Sequence, residues 1–141
     1  MADDGSDFAR SMSIATSGLR AQAGRMRVIS ENIANADSTA PTAAGNPYRR
    51  KVPTFSSALD RTLDARVVTL DKVRADQSAF RVKHEPSNPA ADAAGNVKYP
   101  NVNPLVEMTD MREAQRSYEA NLNIISATRR MIQRTLDILK A

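Results

Sequence analysis

Cysteine and tryptophan are both missing from this 141-residue chain. Without cysteine there is neither a disulfide nor a thiolate metal site, so the fold holds without covalent staples in any redox compartment. Aromatic residues are only 4% of the total. The core must therefore be built from Leu, Ile, Val, Met and Ala, which suits helix packing better than a β-sandwich. There is one histidine, His84, and no Gly-rich phosphate loop. With one imidazole and no thiol, the parts of a nucleophile–base pair are lacking. No residue is given a catalytic, cofactor-binding or metal-binding role, and no cofactor is expected. No run of 18 apolar residues exists, so direct membrane insertion is not expected either. The opening MADDGSDFAR is acidic where a secretory signal would be basic, and no apolar stretch follows. Any export is expected to proceed without a cleaved signal peptide.

The net charge is +4, and its excess lies in the middle. Residues 38–100 hold ten basic and six acidic groups, against four and five in 1–37 and six and five in 101–141. Arg49, Arg50 and Lys51 form the only basic run. A nucleic-acid footprint would be more clustered and would offer aromatics for stacking, so nucleic acid is not an expected partner. The three are expected near a helix end or subunit boundary, against acidic groups.

What the chain does have is two long apolar repeats, one at each end. From Asn103 to Ala141 there is no Gly, and no Pro after Pro104. Met108, Met111, Tyr118, Leu122, Ile125, Ile132, Leu136 and Leu139 recur at steps of 3, 4 and 7, with Gln115 and Arg129 in the gaps of seven. That is a heptad seam on one long helix. A second stripe, Ala120, Ile124, Ala127, Met131 and Ile138, runs beside it. The apolar face is thus wider than a two-stranded coiled coil needs. Glu107, Asp110 and Glu113 come early and Arg129, Arg130, Arg134 and Lys140 late, in the sense that favours a helix dipole. At the other end, Phe8, Met12, Ala15, Leu19, Met26, Ile29, Ile33 and Ala36 repeat the pattern, with Gln22 in its gap. Ser6 or Asp7 is the expected N-cap, preceded by Asp3 and Asp4, and the end is expected between Asn35 and Thr39. Gly18 and Gly24 inside this helix each cost roughly 1 kcal/mol against Ala; they are either tolerated or mark a close helix approach.

Between the helices, residues 39–53 are rich in Pro, Gly and small residues and read as loop. Pro53 leaves Val52 and Thr54 at best an edge strand. Residues 55–65 have no clear period and read as a short helix or loop. Residues 66–85 look extended, and in 80–85 Phe80, Val82 and His84 alternate with Arg81, Lys83 and Glu85. The first three are expected on the apolar face, with His84 packed or half-exposed. Residues 86–96 return to loop. Asp92 to Asn96 has part of a calcium loop but lacks its further acidic ligands and closing Glu. The expected fold is mainly α with a small β-rich middle: long N- and C-terminal heptad helices paired as a coiled coil, with short antiparallel strands between. Residues 1–38 and 101–141 would form one discontinuous helical assembly domain, and 39–100 the loop and β-rich middle. In the helix pair, Leu19, Met26, Ile29 and Ile33 are expected to face Leu122, Ile125, Ile132 and Leu136. Asn residues cluster at Asn32 and Asn35, Asn101 and Asn103, and Asn121 and Asn123. Buried amides fix register in bundles; ordinary capping accounts for Asn35 and Asn103.

Residues 15–38, ATSGLRAQAGRMRVISENIANADS, close on the run Asn32-Ile33-Ala34-Asn35-Ala36. This resembles the amino-terminal signature of the bacterial flagellar axial proteins, which form rod, hook and hook–filament junction. The insertion Thr39 to Asn46, the resumption at Pro47-Tyr48-Arg49-Arg50-Lys51, the segment 85–108 and the closing helix from Met108 through Asn121 are similar to the proximal-rod members. The resemblance spans most of the chain except about 55–79. It implies a structural subunit of the proximal rod, exported through the flagellar type III apparatus and assembled into a periplasm-spanning drive shaft that transmits torque. Implied partners are copies of the chain, other rod proteins, the MS ring and its adaptor protein, and the export apparatus. The expected assembly interface comprises Leu19, Met26, Ile29, Asn32, Ile33, Asn35, Tyr118, Leu122, Ile124, Ile125, Met131, Ile132, Leu136 and Ile138. The alternative of another class is a cytoplasmic coiled-coil adaptor or export chaperone, which would be a stable helical dimer by itself.

Overall fold

The computed structural model describes residues 4–140, with side-chain surroundings from Asp7 onward. The first helix, α1, runs Asp4–Ala34 and the last, α2, Pro104–Lys140. Asp3 and the side chains of Asp4 and Ser6 lie outside the described residues. Ser6 and Asp7 are already inside α1, so neither is its N-cap. The other end of α1 falls where the sequence puts it: the Asn35 backbone N–H and side-chain Nδ2 both donate to the Glu31 carbonyl, at 3.1 and 2.9 Å. These satisfy a carbonyl orphaned by the helix end. Asn103 caps α2, its Oδ1 accepting from the Leu105 N–H at 3.1 Å, and Pro104 takes the first helical position, where its missing N–H costs nothing.

The middle makes three separate two-stranded antiparallel ladders. β1 (Lys51–Val52) pairs with β4 (Arg74–Ala75), β2 (Phe55–Asp60) with β3 (Ala65–Leu70), and β5 (Arg81–His84) with β6 (Asn96–Tyr99). Residues 55–65 are thus a strand and a turn, not a helix or loop. Phe55 through Leu59 are exposed on both faces, so burial imposes no alternation and the period cannot be read. Asp64, at φ 47°, closes the turn in the left-handed region. In β5 the expected face is inverted. Arg81 pairs with Tyr99 and Lys83 with Val97, and Val97 and Tyr99 are the buried pair. Val82 is 60% exposed and His84 is exposed. The cations win the inner face by what they touch: Arg81 donates to the carbonyls of Pro100 and Ala36, at 3.0 and 2.7 Å, and Lys83 Nζ lies 4.6 Å over the Tyr99 ring. The Asp92 turn spends its carboxylate on its own backbone, Oδ1 accepting from Ala94 and Asn96 at 2.9 Å each.

Contacts group the residues into two compact units, and both helices contribute to both. Unit 1 takes residues up to Met26, Thr54–Asp71 and from Glu113 onward; unit 2 takes Arg27–Pro53 and Lys72–Arg112. In unit 1, among the described residues, the buried apolar side chains are alanines: Ala15, Ala21, Ala65 and Ala114. A Cβ built on Gly18 would stand 2.9 Å from Asn121 Nδ2, and one on Gly24 2.6 Å from a Leu70 methyl. Both glycines therefore mark close approaches. On α2 the covered side passes through Ala114, Tyr118, Asn121, Ile125, Thr128 and Ile132. Tyr118, Ile125 and Ile132 were expected there. Leu122 and Leu136 were too, but they are 42% and 45% exposed. The seam is shifted by one residue on alternate turns, and at Asn121 it meets Gly18, where an added Cβ would stand 2.9 Å from the amide. On α1, Leu19 and Met26 are half-buried.

Unit 2 has larger buried side chains. Val28, Ile29, Val97, Tyr99, Pro100 and Val102 are buried, and Ile33 is half-buried. Val97 and Tyr99 pack with Ala90 and Ala91.

Candidate functional site

Unit 2 closes around a buried polar clasp. Asn32 is 1% exposed, and its amide is saturated. Nδ2 donates to Glu107 Oε2 at 3.0 Å and to the Lys51 carbonyl at 2.8 Å. Oδ1 accepts from Tyr48 Oη at 2.8 Å and from the Lys51 N–H at 2.9 Å. Two donors and two acceptor positions are all an amide has. Glu107, also 1% exposed, takes Arg50 Nε on its other oxygen at 2.6 Å. Burying a carboxylate is tolerable only with such pairing. The Arg50 guanidinium also lies 3.7 Å from both Asp76 and Asp110.

A second amide fastens the next layer. Asn101 Oδ1 accepts from the Arg50 N–H at 2.8 Å, while its Nδ2 donates to the Asp76 carbonyl and Ser78 Oγ at 3.1 and 2.8 Å. The Asp76 carboxyl is held below its ordinary range, first by the Ser78 backbone N–H and then by the Ser78 hydroxyl and Arg50. Lys51 reaches Glu31 at 2.8 Å, a bond that lowers the carboxyl and raises the ammonium. Burial pushes the Tyr48 phenol up. Arg49 donates to the carbonyls of Asp76 and Ser78, both at 3.0 Å, and stacks 4.2 Å over Phe80. Of the basic run, Arg50 and Lys51 meet acidic groups near helix ends as expected, while Arg49 meets carbonyls and a ring.

Sequence reasoning missed Glu107, Tyr48 and Asn101 as partners in one network. Glu107 read as a helix-start acid, but it lies four residues before Met111, on the covered side of the helix; that spacing was the available signal. Asn32 and Ile29 (2% exposed) are spent inside the chain, whereas Asn35 caps α1.

The other feature is apolar and open. Along α2, Leu122, Ile124, Met131, Leu136 and Ile138 are 42, 46, 55, 45 and 76% exposed. No described helix is long and apolar enough to cross a membrane. Among the described residues, no group of acidic or His side chains is placed to hold a metal ion. The groove between α1 and β3 in unit 1, about 510 Å³, has Arg20 and Asp60 as its charged lining, too few titratable groups to suggest chemistry.

A family described as "Flagella basal body rod protein" matches residues 12–40, and one described as "Flagellar basal body rod FlgEFG protein C-terminal" matches 93–138. The chain is 52% identical to the flagellar basal-body rod protein FlgC of Agrobacterium fabrum, over 91% of this chain and 92% of that one. The chain belongs to the FlgC family. It is 37% identical to FlgC of Bacillus subtilis, over 92% of this chain and 97% of that one. It is 39% identical to FlgC of Salmonella typhimurium, over 89% and 92%. FlgC is a structural component of the flagellar basal-body rod, which accounts for a site made of a clasp and an open apolar stripe. The two matched segments hold Asn32 and Glu107, the two ends of the clasp.

Proposed function

We propose that this FlgC chain is a proximal-rod subunit that assembles through its terminal helices, 1–38 with 101–141, paired as a coiled coil. The residues 39–100 are carried beside that helical domain. The assembly joins copies of the chain and other rod proteins into a shaft that crosses the periplasm and transmits torque. Its base meets the MS ring and adaptor protein, and its subunits arrive through the export apparatus without a cleaved signal. The observation that carries this reading is the open stripe on α2. Ile124, Met131 and Ile138 are spaced by sevens on one helix line, and each stands at least 46% exposed. An exposed apolar helix face of that length marks a contact surface for a neighbour. Within the interface proposed from sequence, Ile124, Met131, Ile138, Leu122 and Leu136 are the side chains open to a second subunit; Asn32 and Ile29 act inside the chain.

The test is the triple variant Ile124→Asp, Met131→Asp, Ile138→Asp. In the free chain it should fold as the parent does, because the three sites already face water. In cells it should abolish motility and incorporation into basal bodies, because a charge would be left in a dry contact. Normal swimming by the triple variant would sink the proposal.

A further inference from the structure

The outer edge of β2 is open. The Asp71 N–H donates to the Thr54 carbonyl at 2.8 Å, and hydrogen-bonded pairs alternate along an antiparallel ladder. With the register Ser56↔Thr69, Ala58↔Val67, Asp60↔Ala65, those pairs face inward. The backbone groups of Phe55, Ser57 and Leu59 then point away from β3. An independent bond fixes the same parity: the Val68 N–H, opposite Ser57, points away from β2 and donates to Ser17 Oγ at 3.1 Å. On the far edge of β3, α1 thus takes the Val68 N–H. Among the described residues β2 has no strand partner besides β3, and Phe55 through Leu59 are exposed. Of the devices that blunt a lone edge, which include Pro, charge and bulges, the strand itself carries only the charge of Asp60, and Pro53 stands just before it.

The strand is complementary to itself. Laid antiparallel on a second copy with Ser57 opposite Ser57, its outward residues 55, 57 and 59 become the hydrogen-bonded pairs. Phe55 then lies opposite Leu59 twice, on the face where these two are 41% and 56% exposed. Asp60 lies opposite Thr54, so no like charges meet. We propose that the unassembled chain dimerises through the β2 edge, forming a four-stranded sheet β3-β2-β2-β3 about a two-fold axis at Ser57. Such a contact is isologous and closes on itself. It cannot propagate along a polar shaft, so the dimer is a reserve of subunits withheld from polymerisation. The dimer itself does not depend on the rod reading; its role as a reserve of subunits rests on that reading.

The chain has no cysteine, so introduced thiols report cleanly. In full-length protein, Ser57→Cys should cross-link to itself with a short thiol reagent. A mixture of Phe55→Cys and Leu59→Cys should cross-link across variants but not within either one. Directly opposed residues stand about 5.5 Å apart, whereas the two copies of Phe55 would be separated by four residue steps, roughly 13 Å. Sedimentation should show a concentration-dependent dimer in the parent chain. Ser57→Pro removes only an outward N–H, which a lone edge strand tolerates, and should weaken the dimer at least tenfold. Leu59→Lys touches no ladder bond and should do the same. Amide exchange at Ser56 and Ala58 checks that the hairpin persists in both variants. A monomer at every concentration, a dimer indifferent to both substitutions, or cross-links between two Phe55→Cys chains would each overturn the proposal.

Discussion

Unit 2 buries Val97, Val102, Ile29 and Tyr99, while unit 1 buries alanines and leaves Leu122, Ile124, Met131, Leu136 and Ile138 in the open. The two draw on the same pair of helices, so helix propensity is not what separates them. Fully burying one large apolar side chain is worth roughly 1.5–3 kcal/mol, and a domain's stability is typically about 5–15 kcal/mol. Each valine, and Ile29 and Tyr99, in the unit 2 core therefore contributes more by burial than an alanine of unit 1 can. The polar groups differ in the same sense. In unit 2 the ion pair Arg50–Glu107 has a partner 1% exposed, whereas in unit 1 the pair Arg25–Glu113, at 3.5 Å, has a carboxylate 65% exposed. Unit 2 has large side chains in its core and still exposes Val82, Leu105, Val106 and Met108, whereas unit 1 exposes more of its large apolar side chains than it covers completely.

The largest expected break comes from cutting the clasp. Arg50→Ala leaves the Glu107 carboxylate buried without its cation and should cost about 3–5 kcal/mol. Arg25→Ala in unit 1 should cost less than about 1 kcal/mol for its ion pair, which is exposed on one side. Urea unfolding of both variants makes the comparison, and equal costs would mean the units are not built differently. Next in size is Asn32→Ala. It strands one oxygen of the buried Glu107, together with the Tyr48 hydroxyl and the Lys51 N–H and carbonyl of two half-buried residues; with an unmet buried group costing roughly 1–3 kcal/mol, a loss of about 3 kcal/mol is expected. Asn35→Ala, three residues along, removes a single half-exposed cap bond and should lose under about 1 kcal/mol. Thermal melts of the two single variants suffice, and a larger loss from Asn35→Ala would overturn the assignment of Asn32 to the clasp.

Which parts of this were legible in the sequence follows from what each part is made of. The two helices, the close of α1 and the start of α2 were readable because the heptads, Asn35, Asn103 and Pro104 carry local signals, whereas the start of α1 was misplaced at Ser6 or Asp7. The seam was half readable. Tyr118, Ile125 and Ile132 are apolar and covered, but the alternate positions are Ala114, Asn121 and Thr128, and Leu122 next to Asn121 looked the better core residue. Hydrophobicity selects the wrong neighbour where the covered position facing Gly18 is an amide, Asn121. β2 was unreadable because water on both faces removes alternation, whereas β3 lies in the segment expected to be extended. The clasp was unreadable because its members, Asn32, Tyr48, Arg50, Asn101 and Glu107, come from four distant stretches, and each alone has an ordinary surface reading.

Acid should sharpen the contrast more gently. Glu31 is lowered by its bond from Lys51, Asp76 by the Ser78 N–H, and Glu85 by the Tyr99 hydroxyl. All three belong to unit 2. Their ordinary values are 4.5 for the glutamates and 3.8 for Asp76. A carboxyl whose folded value is depressed binds fewer protons folded than unfolded. Its contribution is therefore complete above the ordinary value and is lost as pH falls through the folded one. Unit 2 should hold its stability down to about pH 5 and weaken progressively below about pH 4. Glu31→Gln should flatten that fall. The measurement is the urea midpoint as a function of pH, followed on Tyr48 and Tyr99, and a unit 2 that gains stability on acidification would contradict these assignments.

The smallest effect on the free chain is expected at the most apolar site. Leu136 is 45% and Ile138 76% exposed, so replacing either with Ala removes little buried surface. The change in free-chain stability should stay within about 0.5 kcal/mol. The same substitutions should matter in an assembled shaft, where a covered leucine cut to alanine costs roughly 2–5 kcal/mol. Hydrogen exchange reads both states. In dilute protein, amides of unit 2, including those of α1 after Met26 and of α2 before Glu113, should exchange slowly. Amides of the unit 1 parts of the same helices should exchange fast, because local opening there exposes little further apolar surface. In assembled rods the two should converge, and Leu136→Ala should restore fast exchange only in the unit 1 part of α2. The boundary is thus expected to cut across each helix near its middle, rather than between the helices and the segment they enclose. Uniform protection along α2 in the dilute chain would show that its alanine-lined half is held by something other than a neighbouring subunit.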